Sequence, residues 1–125
     1  MGLSKYSFSK QEKLTGKKKI EGLFKNGSSF YLGDFQIRHQ QTDEFGSYQI
    51  LISVPKRNFK RAVDRNLLKR RIREAYRLNK ELLPNQANSN SLYIGFVYLS
   101  KQILTFQDIQ AQLIKCLERL GTIKN

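Results

Sequence analysis

The 125-residue chain has one cysteine, Cys116, so no intramolecular disulfide can staple it, and a lone thiol fits a reducing compartment. Tryptophan is absent and proline occurs only at 55 and 84. With no internal repeat and no linker-like stretch, a single domain over 1–125 is expected. No apolar run approaches the roughly 18 residues of a membrane span, and Met1 to Leu14 has Lys, Gln and Glu where a signal peptide would have its apolar core. A cytoplasmic protein is expected. Acids are scarce, ten against 23 Lys and Arg, and they are scattered along the chain. Two-metal phosphodiester chemistry needs converging carboxylates. None cluster in the sequence, no Cys and His set has zinc spacing, no glycine loop is built to cradle phosphate, and His39 is the single histidine.

What is present is a folded composition, 39% apolar with eight Phe and six Tyr, carrying a net charge of +13. The charge is concentrated. Lys56 to Lys80, KRNFKRAVDRNLLKRRIREAYRLNK, holds eleven Lys or Arg against Asp64 and Glu74, and so carries +9 of the +13. At 3.6 residues per turn, Arg65, Asn66, Lys69, Arg70, Arg73 and Arg77 fall within an arc of roughly 140°, with Leu68, Ile72, Ala75 and Leu82 on the other side. Ordinary solvated helix faces interleave acids with bases, so a one-sided cationic stripe points to a polyanion, nucleic acid ahead of an anionic membrane. Asn66 adds an amide that both donates and accepts towards a sugar or base edge, or caps a frayed helix start.

The flanking elements follow from periodicity. Residues 1–15 are expected to be extended. Thr15 would cap a short helix bearing Ile20, Leu23 and Phe24 on one side, and Gly27 would end it in a left-handed conformation. Lys17, Lys18 and Lys19 oppose the dipole of that helix, which makes more sense beside phosphate. Strands are expected at Ser28 to Leu32, Asp34 to Gln41 and Tyr48 to Val54, with a turn over Thr42 to Ser47 pairing the last two antiparallel. His39 shares a strand face with Phe35 and Ile37, which suggests a buried, hydrogen-bonded histidine and not a ligand. The basic helix runs from about Ala62 to Leu83, and residues 85–91, NQANSNS, form a mobile polar loop. Leu92 to Leu99, LYIGFVYL, is apolar on both faces and reads as an interior strand. A last helix is capped by Thr105, with Asp108 three residues on, and buries Ile109, Leu113, Cys116, Leu117 and Leu120 before Gly121 closes it. The order predicts an α+β, α-β-β-β-α-β-α sandwich with one sheet face on helices and the other, with Gln36 and Arg38, partly open beside the cationic helix.

The run Ala62-Val63-Asp64-Arg65-Asn66-Leu67-Leu68-Lys69-Arg70-Arg71-Ile72-Arg73-Glu74 resembles the signature of the bacterial ribonuclease P protein subunit, A-V-x-R-N-x-x-K-R-x-x-R-E, at every specified position. Val54-Pro55-Lys56-Arg57 resembles the entry to that helix, and Phe24-Lys25-Asn26-Gly27 the end of the family's first helix. The resemblance implies a ribosomal-protein-like domain fold with a left-handed β-α-β crossover. It also implies a division of labour in which a large catalytic RNA, carrying Mg²⁺, cleaves and this protein binds. Matching positions assign Arg65, Asn66, Lys69, Arg70 and Arg73 to the catalytic RNA, with Lys56, Arg57 and Arg77 as neighbours. They assign Ile20, Phe24, Gln36 and Arg38 to a groove for the 5′ leader of precursor transfer RNA. Other members often carry aromatics at the positions of Ile20 and Arg38; here Ile20 cannot stack and Arg38 would stack by its guanidinium plane. The rivals are a structural ribosomal or assembly RNA-binding protein, a nuclease in its own right, and a DNA-binding basic helix, the last disfavoured by the absence of dimerisation heptads.

Overall fold

Alternation puts Phe35 and Ile37 on one side of an extended strand, and both are fully buried in the computed structural model, which describes residues 8, 10–45, 48–84 and 90–123. The elements in chain order are α1 (Lys17–Asn26), β1 (Ser28–Leu32), β2 (Phe35–Phe45), β3 (Gln49–Ser53), α2 (Ala62–Asn79), β4 (Asn90–Tyr98) and α3 (Phe106–Gly121). Short 3-10 turns occupy Lys10–Glu12 and Lys80–Leu82. The expected α-β-β-β-α-β-α order is therefore present.

The strand neighbours differ from expectation. The sheet order is β1-β2-β4-β3, so β2 and β3 are not a hairpin pair. β4 lies between them, antiparallel to β2 and parallel to β3, and α2 is the crossover joining the parallel pair. The physical reason lies in β4 itself. Leu92 to Tyr98 are buried without a break, and a strand apolar on both faces loses least exposed area in the middle of a sheet covered on both sides. β2 also continues to Phe45, through most of the expected turn, and Phe45 pairs with Asn90 beyond a register shift. The rest of that turn, 46–47, lies outside the described residues, as do 85–89 of the expected loop. Asn90 and Ser91, expected in the loop, already belong to β4.

The two sheet faces are covered unequally. Phe30, Phe35, Ile37, Ile50, Ile94, Phe96 and Tyr98 point to the face under α2 and α3, where they meet Leu68, Ile72, Ala75 and Tyr76 and the expected α3 seam of Ile109, Leu113, Cys116, Leu117 and Leu120. The other face holds a small second cluster of Leu14, Leu23 and Tyr93, with Ile20 and Leu51 against it. α1 therefore packs on the face opposite α2, and the cationic helix does not flank the open face along its length. Burial of the Leu23 side chain, about 1.5–3 kcal/mol, is the main apolar anchor of α1.

Element ends show where local signals misled. Gly16, not Thr15, precedes α1, with φ 100°, and no side chain caps the helix. Gly27 is extended, not left-handed (φ −75°, ψ 159°). Glycine is needed there for space, because a Cβ would fall on the Leu23 carbonyl oxygen and 2.9 Å from that of His39. Thr105 caps α3 as expected, its hydroxyl accepting from the Asp108 N–H at 3.2 Å. α2 stops at Asn79, four residues early, and Leu82, expected on the apolar side, is 40% exposed. Tyr76 takes its place in the core, edge-on to Phe8 and close to Phe96. Residues 10–15 are not simply extended. After the Lys10–Glu12 turn, Lys13 bridges to Ile50, and the Leu14 N–H donates to the Ile50 carbonyl at 2.9 Å.

Candidate nucleic-acid interface

The start of α2 gathers the cations. Pro55 opens a turn closed by the Asn58 N–H on the Pro55 carbonyl at 3.2 Å, which leaves Lys56 and Arg57 exposed. Lys60 and Arg61 are also exposed, and Asn66, Arg70 and Arg73 project from the helix beyond them, with Lys69 half-buried. Asp64, the acid of this first turn, stands 4.0 Å from Arg61. Among the described residues no acid lies within ion-pair distance of Lys56, Arg57, Lys69, Arg70 or Arg73.

Arg65 has a second use. Its Nη1 donates to the carbonyls of Phe59 at 2.7 Å and Lys60 at 2.9 Å, so the half-buried guanidinium ties the entry loop to the helix it precedes. Phe59, buried beneath this clamp, packs its ring 6.0 Å from that of Tyr98. Arg71, outside the predicted set, is likewise structural, its Nη1 donating to the Leu104 carbonyl at 2.6 Å. Leu104 is held in turn by its N–H on the Tyr98 hydroxyl at 3.2 Å. Burial raises the Tyr98 pKa, which keeps that hydroxyl protonated.

The far end of α2 spends its charges internally. Arg77 donates through Nε to Glu74 Oε1 at 2.7 Å, which sets it at the margin of the cationic face. Lys80 pairs with Glu12 at 2.8 Å with both side chains mostly buried, and the Asn79 amide donates to the Ala75 carbonyl and to Gln110. The predicted stripe is thus continuous in sequence and divided in its contacts.

On the other side of the sheet, register sorts the side chains into rows across the strands. Gln40, Tyr93 and Gln49 form one row, Ser29, Arg38, Gly95 and Leu51 the next, and Tyr31, Gln36, Val97 and Ser53 the last. α1 lies over the first two. A Cβ on Gly95 would stand 3.2 Å from Leu23, so the absent side chain lets the helix approach. Lys19 reaches over the Tyr93 ring, 5.9 Å from its centroid. The Arg38 guanidinium stacks on Phe24 at 5.1 Å, and its buried Nε has no hydrogen-bond partner among the described residues. Arg38, Phe24 and the half-buried Ile20 therefore form one wall, with Gln36 beyond it. Tyr31, which the strand pattern alone did not single out, is 66% exposed beside Gln36. Lys17, Lys18, Lys19 and Lys25 make the exposed rim of α1 cationic.

His39 lies on the α2 side, half-buried with its ring 6.1 Å from Phe30, and desolvation lowers its pKa. Burial pushes the Cys116 thiol up to about 12, which leaves it core filler and no nucleophile. No group of three or more His, Cys, Asp or Glu among the described residues is placed to hold a metal ion, and no described helix is long and apolar enough to cross a membrane.

The family model described as ribonuclease P matches residues 8–121. The ribonuclease P protein component of Porphyromonas gingivalis is 34% identical over 120 residues, covering 93% of this chain and 88% of its own. That of Petrotoga mobilis is 30% identical over 117 residues, covering 91% and 95%. Among solved structures, the ribonuclease P protein of Thermotoga maritima superposes with a TM-score of 0.72 at 24% identity, over 91% of this chain and 99% of that one, a likeness of fold. On its sequence match along nearly the whole length, the chain belongs to the ribonuclease P protein family.

Proposed function

We propose that this chain is the protein subunit of a ribonuclease P holoenzyme, which removes the 5′ leader of precursor transfer RNA by endonucleolytic cleavage. The observation that carries the reading is the division of α2. Among the described residues no acid lies within ion-pair distance of Lys56, Arg57, Lys69, Arg70 or Arg73, whereas Arg77 and Lys80 at the end of the helix are consumed within the protein. Lys56, Arg57, Asn66, Lys69, Arg70 and Arg73 then meet catalytic-RNA phosphates and sugars, with Arg65 shaping the loop and offering its remaining donors, and Arg77 at the edge. Ile20, Phe24, Gln36 and Arg38 receive the single-stranded leader on the opposite sheet face. Ser53, at the end of β3, lies in the same row across the sheet as Gln36 and precedes Lys56 and Arg57 by three and four residues. Catalysis is assigned to the RNA, and Mg²⁺ to sites on that RNA. The protein would supply affinity and alignment, in the cytoplasm.

Reconstitution tests this. Adding the chain to its cognate catalytic RNA is expected to promote cleavage of a leader-bearing precursor at low Mg²⁺. Arg65→Ala with Arg70→Ala should weaken binding to the catalytic RNA and flatten its salt dependence, whereas Arg38→Ala should mainly reduce preference for precursors with a leader. No stimulation, together with binding to ribosomal RNA, would replace this reading by a structural RNA-binding role. Cleavage by RNA-free protein would replace it by a nuclease.

A further inference from the structure

Proteins that bind single strands combine a cationic groove with exposed aromatic faces on which bases stack. On the α1 side of the sheet, Tyr93 is buried beside Leu23 with Lys19 above it, and one face of Phe24 is covered by the Arg38 guanidinium. Tyr31 is different. It stands in the row beyond α1, on the edge strand β1, with 66% of its surface open.

Its neighbours suit a nucleotide. The Gln36 amide donates to the Tyr31 hydroxyl at 3.4 Å, a long bond that a base edge could replace by taking the amide directly. One row back, the buried Arg38 Nε lacks a partner among the described residues. The acid of the adjoining turn, Asp34, faces α3, where its carboxylate accepts from Gln112 at 2.8 Å and its N–H donates to the Gln112 side chain at 2.7 Å. Its carboxylate is thereby held towards α3 and away from the face that carries Tyr31. The row runs from Tyr31 through Gln36 and Val97 to Ser53, three strand spacings or about 14 Å, and the chain leaves Ser53 directly for Lys56 and Arg57.

We propose that Tyr31 is a base-stacking residue for the single-stranded leader, marking the β1 end of a path across this row whose other end is the Lys56 and Arg57 turn. This rests on the leader-groove reading above, and it adds a contact on a residue outside the signature helix and outside the α1 wall. The ring supplies the stacking face, and the hydroxyl is dispensable.

The test uses the reconstituted holoenzyme and a transfer-RNA precursor with a leader of about eight adenosines, beside the same RNA without a leader. Tyr31→Ala is expected to weaken binding of the leader-bearing RNA about tenfold while leaving the leaderless RNA unchanged, and Tyr31→Phe to bind both as the parent does. An abasic nucleotide walked along the leader should reproduce the loss at one position and add nothing to Tyr31→Ala there. If the parent protein binds both RNAs equally, the leader groove falls and this proposal with it. If the parent prefers the leader and Tyr31→Ala prefers it as strongly, Tyr31 is not a contact and the groove stands. Equal losses in Tyr31→Phe and Tyr31→Ala would assign the effect to the hydroxyl on Gln36 and overturn stacking.

Discussion

The two ends of α2 carry the same kinds of side chain and use them in opposite ways. Towards the start, Arg70 and Arg73 project with no acid among the described residues at ion-pair distance; at the end, Arg77 is tied to Glu74 and Lys80 to Glu12. Charge count does not separate the two. Position of the acids does, and one of them, Glu12, comes from 68 residues away in sequence. Under the proposed assignment, α2 docks RNA only over the part that the rest of the chain leaves unneutralised.

The largest effect should come from breaking the internal end. Lys80→Met strands the mostly buried Glu12 carboxylate, whose Oε2 already lacks a partner among the described residues, and should cost about 3 kcal/mol, or roughly 10 °C in Tm by calorimetry. Affinity of the folded protein for the catalytic RNA should not change. A loss of RNA affinity as large as that of stability would erase the distinction between the two ends.

Breaking the outward end comes next. Arg70→Ala with Arg73→Ala should weaken catalytic-RNA binding about 30-fold, lower the slope of log affinity against log salt by about 1.4–1.8, and leave folding stability within about 1 kcal/mol of the parent. Arg65 sits between the two behaviours. Arg65→Lys keeps the charge and loses the two-carbonyl fork, so it should cost about 1 kcal/mol of stability and disturb RNA binding through the loop, where a purely electrostatic role would leave both untouched.

The smallest effect separates titration from docking. Burial lowers the folded pKa of His39, so the unfolded chain takes up the proton first as pH falls below about 6.5, and the folded state loses stability over that window. His39→Gln should show a shallower decline of Tm between pH 7 and 5.5. An unchanged decline would place the sensitivity in another group.

Much of this was legible in the residues. The start of the cationic helix, the α3 seam and the capping by Thr105 follow from spacing, and each lies where spacing put it. Strand neighbours did not, because alternation tells which face a side chain takes and not which strand lies beside it. The two-sided apolar run of β4 held the correction, since such a strand belongs in the middle of a sheet. The second use of Arg65 and the openness of Tyr31 depend on contacts with a preceding loop and on where a short helix stops covering the sheet. Neither leaves a period in the sequence.

The place of β4 has a consequence for synthesis. β2 and β3 have no common ladder, so the sheet stays in two pieces until residues 90–98 have left the ribosome, after the whole of α2. During translation the +9 segment is therefore complete before the scaffold that will hold it, and the parallel closure is long-range and slow. A polyanion that favours the folded helix would draw this late step forward by mass action, so that assembly with RNA and completion of the fold become one event.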